Sequence, residues 1–170
     1  AVYDGADAVM LSAETAVGHF PIEAVSMMDT ILHHTEKDHK TLMKNYALND
    51  GSDALMQAVS NIAWQKKAKA IVSFSISGES TLSIARQRPL CPIVSVVANH
   101  KTQRMLALVW GVRAVAQGKL FSFQQIIDTA SMLCQRHEIA EKDDTIIISA
   151  CAPSNVVEND NMIYILKIDA

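Results

Sequence analysis

The stretch Ala70-Ile71-Val72-Ser73-Phe74, followed by the polar run Ser77-Gly78-Glu79-Ser80, decides the fold. The apolar, β-prone residues predict a short strand. The serine and glycine run predicts a loop that caps a helix continuing through residues 82–86. Residues 92–97 then predict a second strand. Strands that alternate with helices in this way are typical of a parallel or mixed sheet with helices on both of its faces.

The alternation continues toward the C-terminus. A helix should begin at Asn99 or His100, pass through Val109 and end at Gly111, a residue that suits the position after a helix. The remaining predicted elements are a strand at 112–116, a helix at 123–136, a strand at 145–149 and a strand at 162–168.

The last two of these strands differ in character. The strand at 145–149 shows almost no alternation of polar and apolar residues, which predicts burial on both faces. About a dozen residues without helical period join it to the strand at 162–168, too few for a crossover helix. We therefore expect an antiparallel edge strand, in an α/β fold with a mixed, mostly parallel five-stranded sheet.

The first third of the chain predicts a short strand at residues 8–11 and then helices. Pro21 suits a first helical position because its missing N–H would be unpaired there. The apolar stripe of this helix is expected to face a core, and it consists of Ile22, Val25, Met28, Ile31 and Leu32. A second helical segment should run to about Leu48. A third helix, capped by Ser52 or Asp53, should end near Lys67.

Composition excludes several classes of function. The chain of 170 residues has a formal net charge of −3, which argues against nucleic acid or an anionic membrane as a main partner. We expect neither a membrane span nor a signal segment. The three cysteines are far apart and lack metal-site spacing, so we expect reduced thiols in a cytoplasmic protein.

Residues 4–25 resemble a known family. They read Asp4-Gly5-Ala6-Asp7-Ala8-Val9-Met10-Leu11-Ser12-Ala13-Glu14-Thr15-Ala16, then Gly18-His19-Phe20-Pro21-Ile22-Glu23-Ala24-Val25. This pattern is similar to the last barrel strand and loop of pyruvate kinases, which usually have glycine in place of Ala13. Further points of resemblance lie at residues 77–80, 85–89, 110–112 and 144–148.

The resemblance implies a carboxy-terminal fragment of a pyruvate kinase. Residues 1–35 would be a remnant of the (β/α)8 barrel, and residues 36–170 the C-terminal α/β domain. The family's full-length enzyme transfers a phosphoryl group between phosphoenolpyruvate and ADP in glycolysis, using Mg and usually K. We expect this chain alone to be inactive and to bind no cofactor. Its expected partners are the missing barrel portion, other copies in a tetramer and a phosphorylated small-molecule effector.

Ser12 is the one residue that the resemblance places at the former active-site face. It follows the predicted barrel strand at its carboxyl end, where barrel enzymes place their sites. The family's metal-binding carboxylates, catalytic lysine and nucleotide site belong to earlier barrel strands, so no complete catalytic site is expected in this chain. A simple role for Ser12 in capping or folding its loop is the alternative.

The loop after the strand at 70–74 is the candidate effector site. A helix begins there, so backbone N–H groups and the positive end of the helix dipole suit an anion. The resemblance assigns phosphate binding to Ser75, Ser77, Gly78, Ser80 and Thr81. The family often has Lys or Arg where this chain has Glu79, and that acid should repel a phosphate. The alternative is an ordinary helix start with Glu79 in the first turn.

Other residues give weaker signals. Residues 150–161 correspond to the family's second effector wall, but here they carry two acids and no base. His34 and His39 are spaced five apart, which does not suit a pair of metal ligands, and we expect no metal site. Cys151 could be a reactive thiol, although no neighbouring base is evident. Arg86 and Arg88 suit either the last helical carbonyls or a subunit contact.

Two rival functions stay open at the level of the sequence. The chain could be a free-standing binding or regulatory module with the same fold and no catalysis, which an upstream reading frame would decide. A dinucleotide-dependent oxidoreductase is disfavoured, because no G-x-G-x-x-G run follows the strand at 70–74.

Overall fold

The computed structural model describes residues 1–37, 54–118, 122–150 and 161–169. The chain divides into two compact units, Ala1–Ala47 and Leu48–Ala170. The predicted helical segment to Leu48, the caps Ser52 and Asp53, and the connection at 151–160 lie outside the described residues.

The first unit contains two helices, α1 at Ala13–Ala16 and α2 at Pro21–Glu36. Pro21 occupies the first turn of α2, as predicted, and Glu23 adds a negative charge that suits the positive end of the helix dipole. Thr30 and Thr35 each return a hydroxyl hydrogen bond to the carbonyl four residues earlier, at 2.8 Å in both cases.

Two predictions about this unit are wrong. Residues 8–11 form no strand, because a strand needs a hydrogen-bonded neighbour and the described chain supplies none there. The apolar stripe of α2 does not face a core: Ile22 is 77% exposed and Ile31 is 54% exposed. No described residue of α2 is buried. The predicted helix is present, but its apolar side chains are not buried.

Hydrogen exchange should therefore separate these residues from the sheet. We expect the amides of Ala8 to Leu11 to exchange quickly, because they belong to no strand, and those of Ile146 to Ile148 to be protected. Mass spectrometry of the exchanged, monomeric chain would measure both. Equal protection in the two segments would contradict this description of the first unit.

The second unit alternates helices and strands. In chain order it contains α3 at Ala54–Gln65, β1 at Ala70–Phe74, α4 at Glu79–Arg86, β2 at Ile93–Val97, α5 at His100–Leu106, β3 at Val112–Ala116, α6 at Phe123–Arg136, β4 at Thr145–Ala150 and β5 at Met162–Lys167. The start of α6 is fixed by a capping box, in which Ser122 and Gln125 exchange side-chain to backbone hydrogen bonds of 3.2 and 2.9 Å.

The strands form one five-stranded sheet in the order β3-β2-β1-β4-β5. The pairs β1–β2, β1–β4 and β2–β3 are parallel, whereas β5 pairs antiparallel with β4 at the edge. The mixed, mostly parallel sheet and its antiparallel edge strand are confirmed. Burial of β4 on both faces is also confirmed, since Ile146, Ile147 and Ile148 are fully buried.

Each face of the sheet has its own apolar core. On one face, Val72, Val94 and Ile148 pack with α6 through residues such as Ala130 and Leu133. On the other face, Ile71, Ile93 and Ile147 pack with α3 and α4. The expected arrangement of helices on both faces is therefore present.

Two helix ends differ from the prediction. The helix predicted through Val109 ends at Leu106, because residues 107–110 turn toward β3, and Gly111 makes that turn at φ +68°. Helix α3 ends at Gln65, slightly before the predicted end at Lys67. In each case the periodicity identified the element, while the connection to the next strand set its last residue.

Candidate functional site

The candidate site lies at the carboxyl end of β1. The chain adds β2 and then β3 on one side of β1, and afterwards places β4 on the other side. The order of strands thus reverses between β1 and β4, and ligands of open α/β sheets bind outside the carboxyl ends of strands at such a switch point. The loop that leaves β1 at this point is the one singled out from the sequence.

The loop is held by its own hydroxyl groups. The Ser75 side chain is buried and accepts a hydrogen bond from the Gly78 N–H at 3.0 Å. The exposed Ser77 hydroxyl accepts a longer one from the Glu79 N–H, at 3.4 Å. Gly78 is the N-cap residue of α4 and has φ +90°, a conformation that favours glycine. The chain therefore turns sharply into the helix without a side-chain cap from Gly78 itself.

Thr81 lies in the interior rather than at the surface of the loop. Its Oγ1 donates to Ser73 Oγ at 3.1 Å and forms a second hydrogen bond with Ser95 Oγ at 2.7 Å. All three side chains are fully buried, and Ser73 and Ser95 are paired partners on β1 and β2. The hydroxyl network ties the first turn of α4 to the centre of the sheet.

The solvent-facing part of the loop carries a negative charge. Glu79 is exposed in the first turn of α4, and Ser80, beside it, is half-buried. An acid there suits the helix dipole, but it opposes an anion approaching the same N–H groups. Of the five predicted effector residues, the structure thus directs Ser77 and Ser80 toward solvent or its margin, and Ser75, Gly78 and Thr81 inward.

Two basic residues at the same sheet edge were missed from the sequence. His100 and Lys101 are exposed in the first turn of α5, which follows β2, the parallel neighbour of β1. Asn99 caps this helix by accepting from the Thr102 N–H at 2.9 Å. They could have been predicted from a parallel pairing of β1 with β2, because this pairing brings the carboxyl ends of both strands to the same edge of the sheet.

Ser12 occupies a different environment in the first unit. It is exposed, and its N–H donates to a Glu14 carboxylate oxygen at 2.9 Å while its carbonyl accepts from the Thr15 hydroxyl at 3.2 Å. Hydrogen bonds from the backbone N–H groups of Glu14 and Ser12 lower the pKa of the Glu14 carboxyl. The Ser12 side chain makes no capping hydrogen bond, so its structural contribution is through the backbone.

Metal binding has no support in the part of the chain that the structure describes. No group of three or more His, Cys, Asp or Glu residues there could hold an ion. His33 instead contacts its own helix, with Nδ1 at 3.2 Å from an Asp29 carboxylate oxygen. His39, Cys151 and the acids Glu158 and Asp160 lie outside the described residues.

The described cysteines and Arg88 are shielded from solvent, whereas Arg86 is exposed. Burial raises the pKa of the Cys91 and Cys134 thiols to about 11 each, so both stay protonated at neutral pH and are weak nucleophiles. Arg88 is buried with its guanidinium 4.9 Å from the centre of the Trp110 ring, a cation–π contact. Arg86 is exposed in the last turn of α4.

No described helix is long and apolar enough to cross a membrane.

The sequence of this chain matches one family of known proteins. The family model described as "Pyruvate kinase, alpha/beta domain" matches residues 53–166, which include β1 to β4 and all of β5 except its last residue. A pyruvate kinase from Agrobacterium vitis is 34% identical over 98% of this chain, which corresponds to 36% of that protein. One from Geobacillus stearothermophilus is 32% identical over 97% of this chain and 29% of that protein.

A pyruvate kinase from Clostridium perfringens is 34% identical over 99% of this chain and 37% of its own length. The chain thus spans about a third of the length of the curated relatives it matches. The similarity reaches beyond the α/β domain, across nearly the whole chain, and this chain therefore belongs to the pyruvate kinase family.

Proposed function

We propose that this chain is the C-terminal regulatory and assembly portion of a pyruvate kinase. One observation carries the proposal: relatives match nearly all of this chain, yet the chain spans only about a third of their length. Residues 1–35 would belong to the barrel and residues 36–170 to the C-terminal domain. The complete enzyme would transfer a phosphoryl group between phosphoenolpyruvate and ADP, with divalent and monovalent metal ions, in the cytoplasm.

Catalysis would belong to the rest of that enzyme. Phosphoryl transfer depends on metal ions and cationic groups that surround the transferred phosphoryl group. The described residues offer no metal-binding cluster, and Ser12 has only local backbone contacts. The contribution of this chain would be to bring subunits together as a homo-oligomer and to bind an effector.

The effector site would be the loop of residues 75–81 at the switch point of the sheet. The anionic group of the effector would contact the Ser77 and Ser80 hydroxyls and the N-terminus of α4, whose dipole attracts negative charge. Ser75 would stabilise the loop through its hydrogen bond with Gly78. Thr81 would do so through its hydrogen bonds with Ser73 and Ser95. Glu79 would weaken the binding of a phosphate group.

The purified 170-residue chain is expected to show no pyruvate kinase activity. The reason is that the family's metal-binding carboxylates, catalytic lysine and nucleotide site belong to earlier barrel strands. The test is pyruvate formation from phosphoenolpyruvate and ADP in the presence of magnesium and potassium, with a complete pyruvate kinase as the positive control. Turnover above background that follows the chain through purification would overturn the proposal.

The alternative is a free-standing binding module with the same fold and no catalytic partner. It is favoured by the second unit, which has a five-stranded sheet and a core on each face formed by residues of that unit. The reading frame upstream of Ala1 separates the two functions. Codons for the earlier barrel strands would support the enzyme, and a start codon directly before Ala1 would support the module.

A further inference from the structure

A groove of about 530 Å³ opens at the amino ends of β1 and β2, on the edge of the sheet opposite the effector loop. Its walls come from the last turn of α3, the residues that lead into β1, and the residues that lead into β2. The volume lies within the range of pockets that accept small organic molecules, which are mostly apolar with a few polar groups.

The walls of the groove suit a flat aromatic ring. Trp64 on α3 is 58% exposed and Leu90 before β2 is 42% exposed, which leaves two large apolar side chains facing water. Ala63 and Ala68 are small and buried, and Cys91 is half-buried with a protonated thiol. An aromatic ligand could stack on the indole and cover the leucine without displacing a bulky group.

The charge of the groove is positive. Among its described lining residues, Lys67 is the charged one and Gln65 can donate or accept hydrogen bonds. Lys67 has φ +51°, a left-handed conformation that glycine adopts more easily. The hydrogen bonds from Lys67 N–H to the Trp64 carbonyl at 3.1 Å and from Ala68 N–H to the Ala63 carbonyl at 2.9 Å fix this conformation. The backbone of Lys67 is therefore held at the helix end, and its side chain lines the same groove as Trp64.

From these contacts we infer a second small-molecule site, separate from the effector loop. It binds a flat aromatic molecule that carries one anionic group, such as a carboxylate or sulfonate. The ring stacks on Trp64 against Leu90, and the anion pairs with the Lys67 ammonium. The inference does not depend on the proposed enzymatic function.

Nuclear magnetic resonance of the full chain tests the site with naphthalene-2-sulfonate as the probe. The chain has two tryptophans, so the indole N–H signals of Trp64 and Trp110 act as a reporter and an internal reference. We expect a saturable shift of the Trp64 signal and of the Ala68 and Cys91 amides, with Trp110 unchanged. The cation 2-naphthylmethylammonium, with the same ring system, should bind several-fold more weakly.

Three variants separate the parts of the inference. Trp64→Ala should lower the affinity for naphthalene-2-sulfonate at least tenfold, as measured from the amide signals. Lys67→Gln should lower this affinity about three- to fivefold, as expected for the loss of a partly exposed ion pair. Lys67→Arg keeps the positive charge and should keep the affinity of the unmodified chain. Leu108→Ala removes a side chain that is 72% exposed outside the groove and should change nothing.

The outcomes that overturn the inference are equally specific. Absence of a saturable Trp64 shift would exclude the site, and equal affinity for the two naphthalene probes would exclude its anionic selectivity. If sedimentation shows an oligomer that Trp64→Ala dissociates, and the probe does not bind, the groove is a contact between copies instead.

Discussion

Replacing Gly78 with valine is expected to destabilise the second unit by about 3 kcal/mol. The backbone at this position has φ +90°, where a side chain costs about 1–2 kcal/mol. An added Cβ would also stand 3.1 Å from Thr102 Cγ2 and 3.4 Å from Leu106 Cδ1, so valine overpacks the space against α5 by about a further 1–3 kcal/mol. Urea unfolding followed by tryptophan fluorescence measures the loss.

Gly111 supplies the matched control for this prediction. It also has a positive φ, +68°, but an added Cβ there would meet nothing within 4 Å. Gly111→Val should therefore cost only the conformational part, about 1–2 kcal/mol. Equal losses of unfolding free energy for the two variants would show that the close approach of α5 to Gly78 does not contribute to the cost of the valine.

Much of the second unit could be predicted from the sequence, because its strands are short, apolar and separated by clear helices. Residues 145–149 showed no alternation, and β4 is buried on both faces as that pattern requires. The first unit could not be predicted in the same way. Residues 8–11 have the composition of a strand, but pairing depends on a neighbouring strand rather than on local sequence.

The position of the candidate loop could be predicted from the sequence more reliably than the environment of its side chains. The loop at 75–81 lies between β1 and α4, as the sequence predicted, and the strand order of the structure adds that it leaves β1 at the switch point. Whether a hydroxyl faces solvent depends on the packing of α4 against the sheet. Thr81 bonds to Ser73 and Ser95, residues 8 and 14 positions away, which is a contact that spacing does not reveal.

Replacing Glu79 with lysine is expected to increase the affinity for a sugar bisphosphate by about tenfold. The unmodified chain should bind it weakly or not at all, because the exposed carboxylate stands at the N-terminus of α4. Reversing this charge near a phosphate should gain ~1.4 kcal/mol, which corresponds to the tenfold change. The gain should decrease at high salt, since exposed charges are screened.

Glu23→Lys is the matched control, because Glu23 is also exposed in the first turn of a helix and the substitution changes the net charge equally. It lies in the first unit, outside the loop, so it should leave the affinity unchanged. An equal gain from Glu23→Lys would point to the net charge of the chain rather than to the loop.

Titration calorimetry with a sugar bisphosphate on the unmodified chain, Glu79→Lys and Glu23→Lys tests most directly whether the loop at 75–81 is a charge-controlled effector site. The expected result is weak or undetectable binding by the unmodified chain and by Glu23→Lys, and binding about tenfold tighter by Glu79→Lys. Tight binding by the unmodified chain, or no gain from the lysine at position 79, would contradict the account.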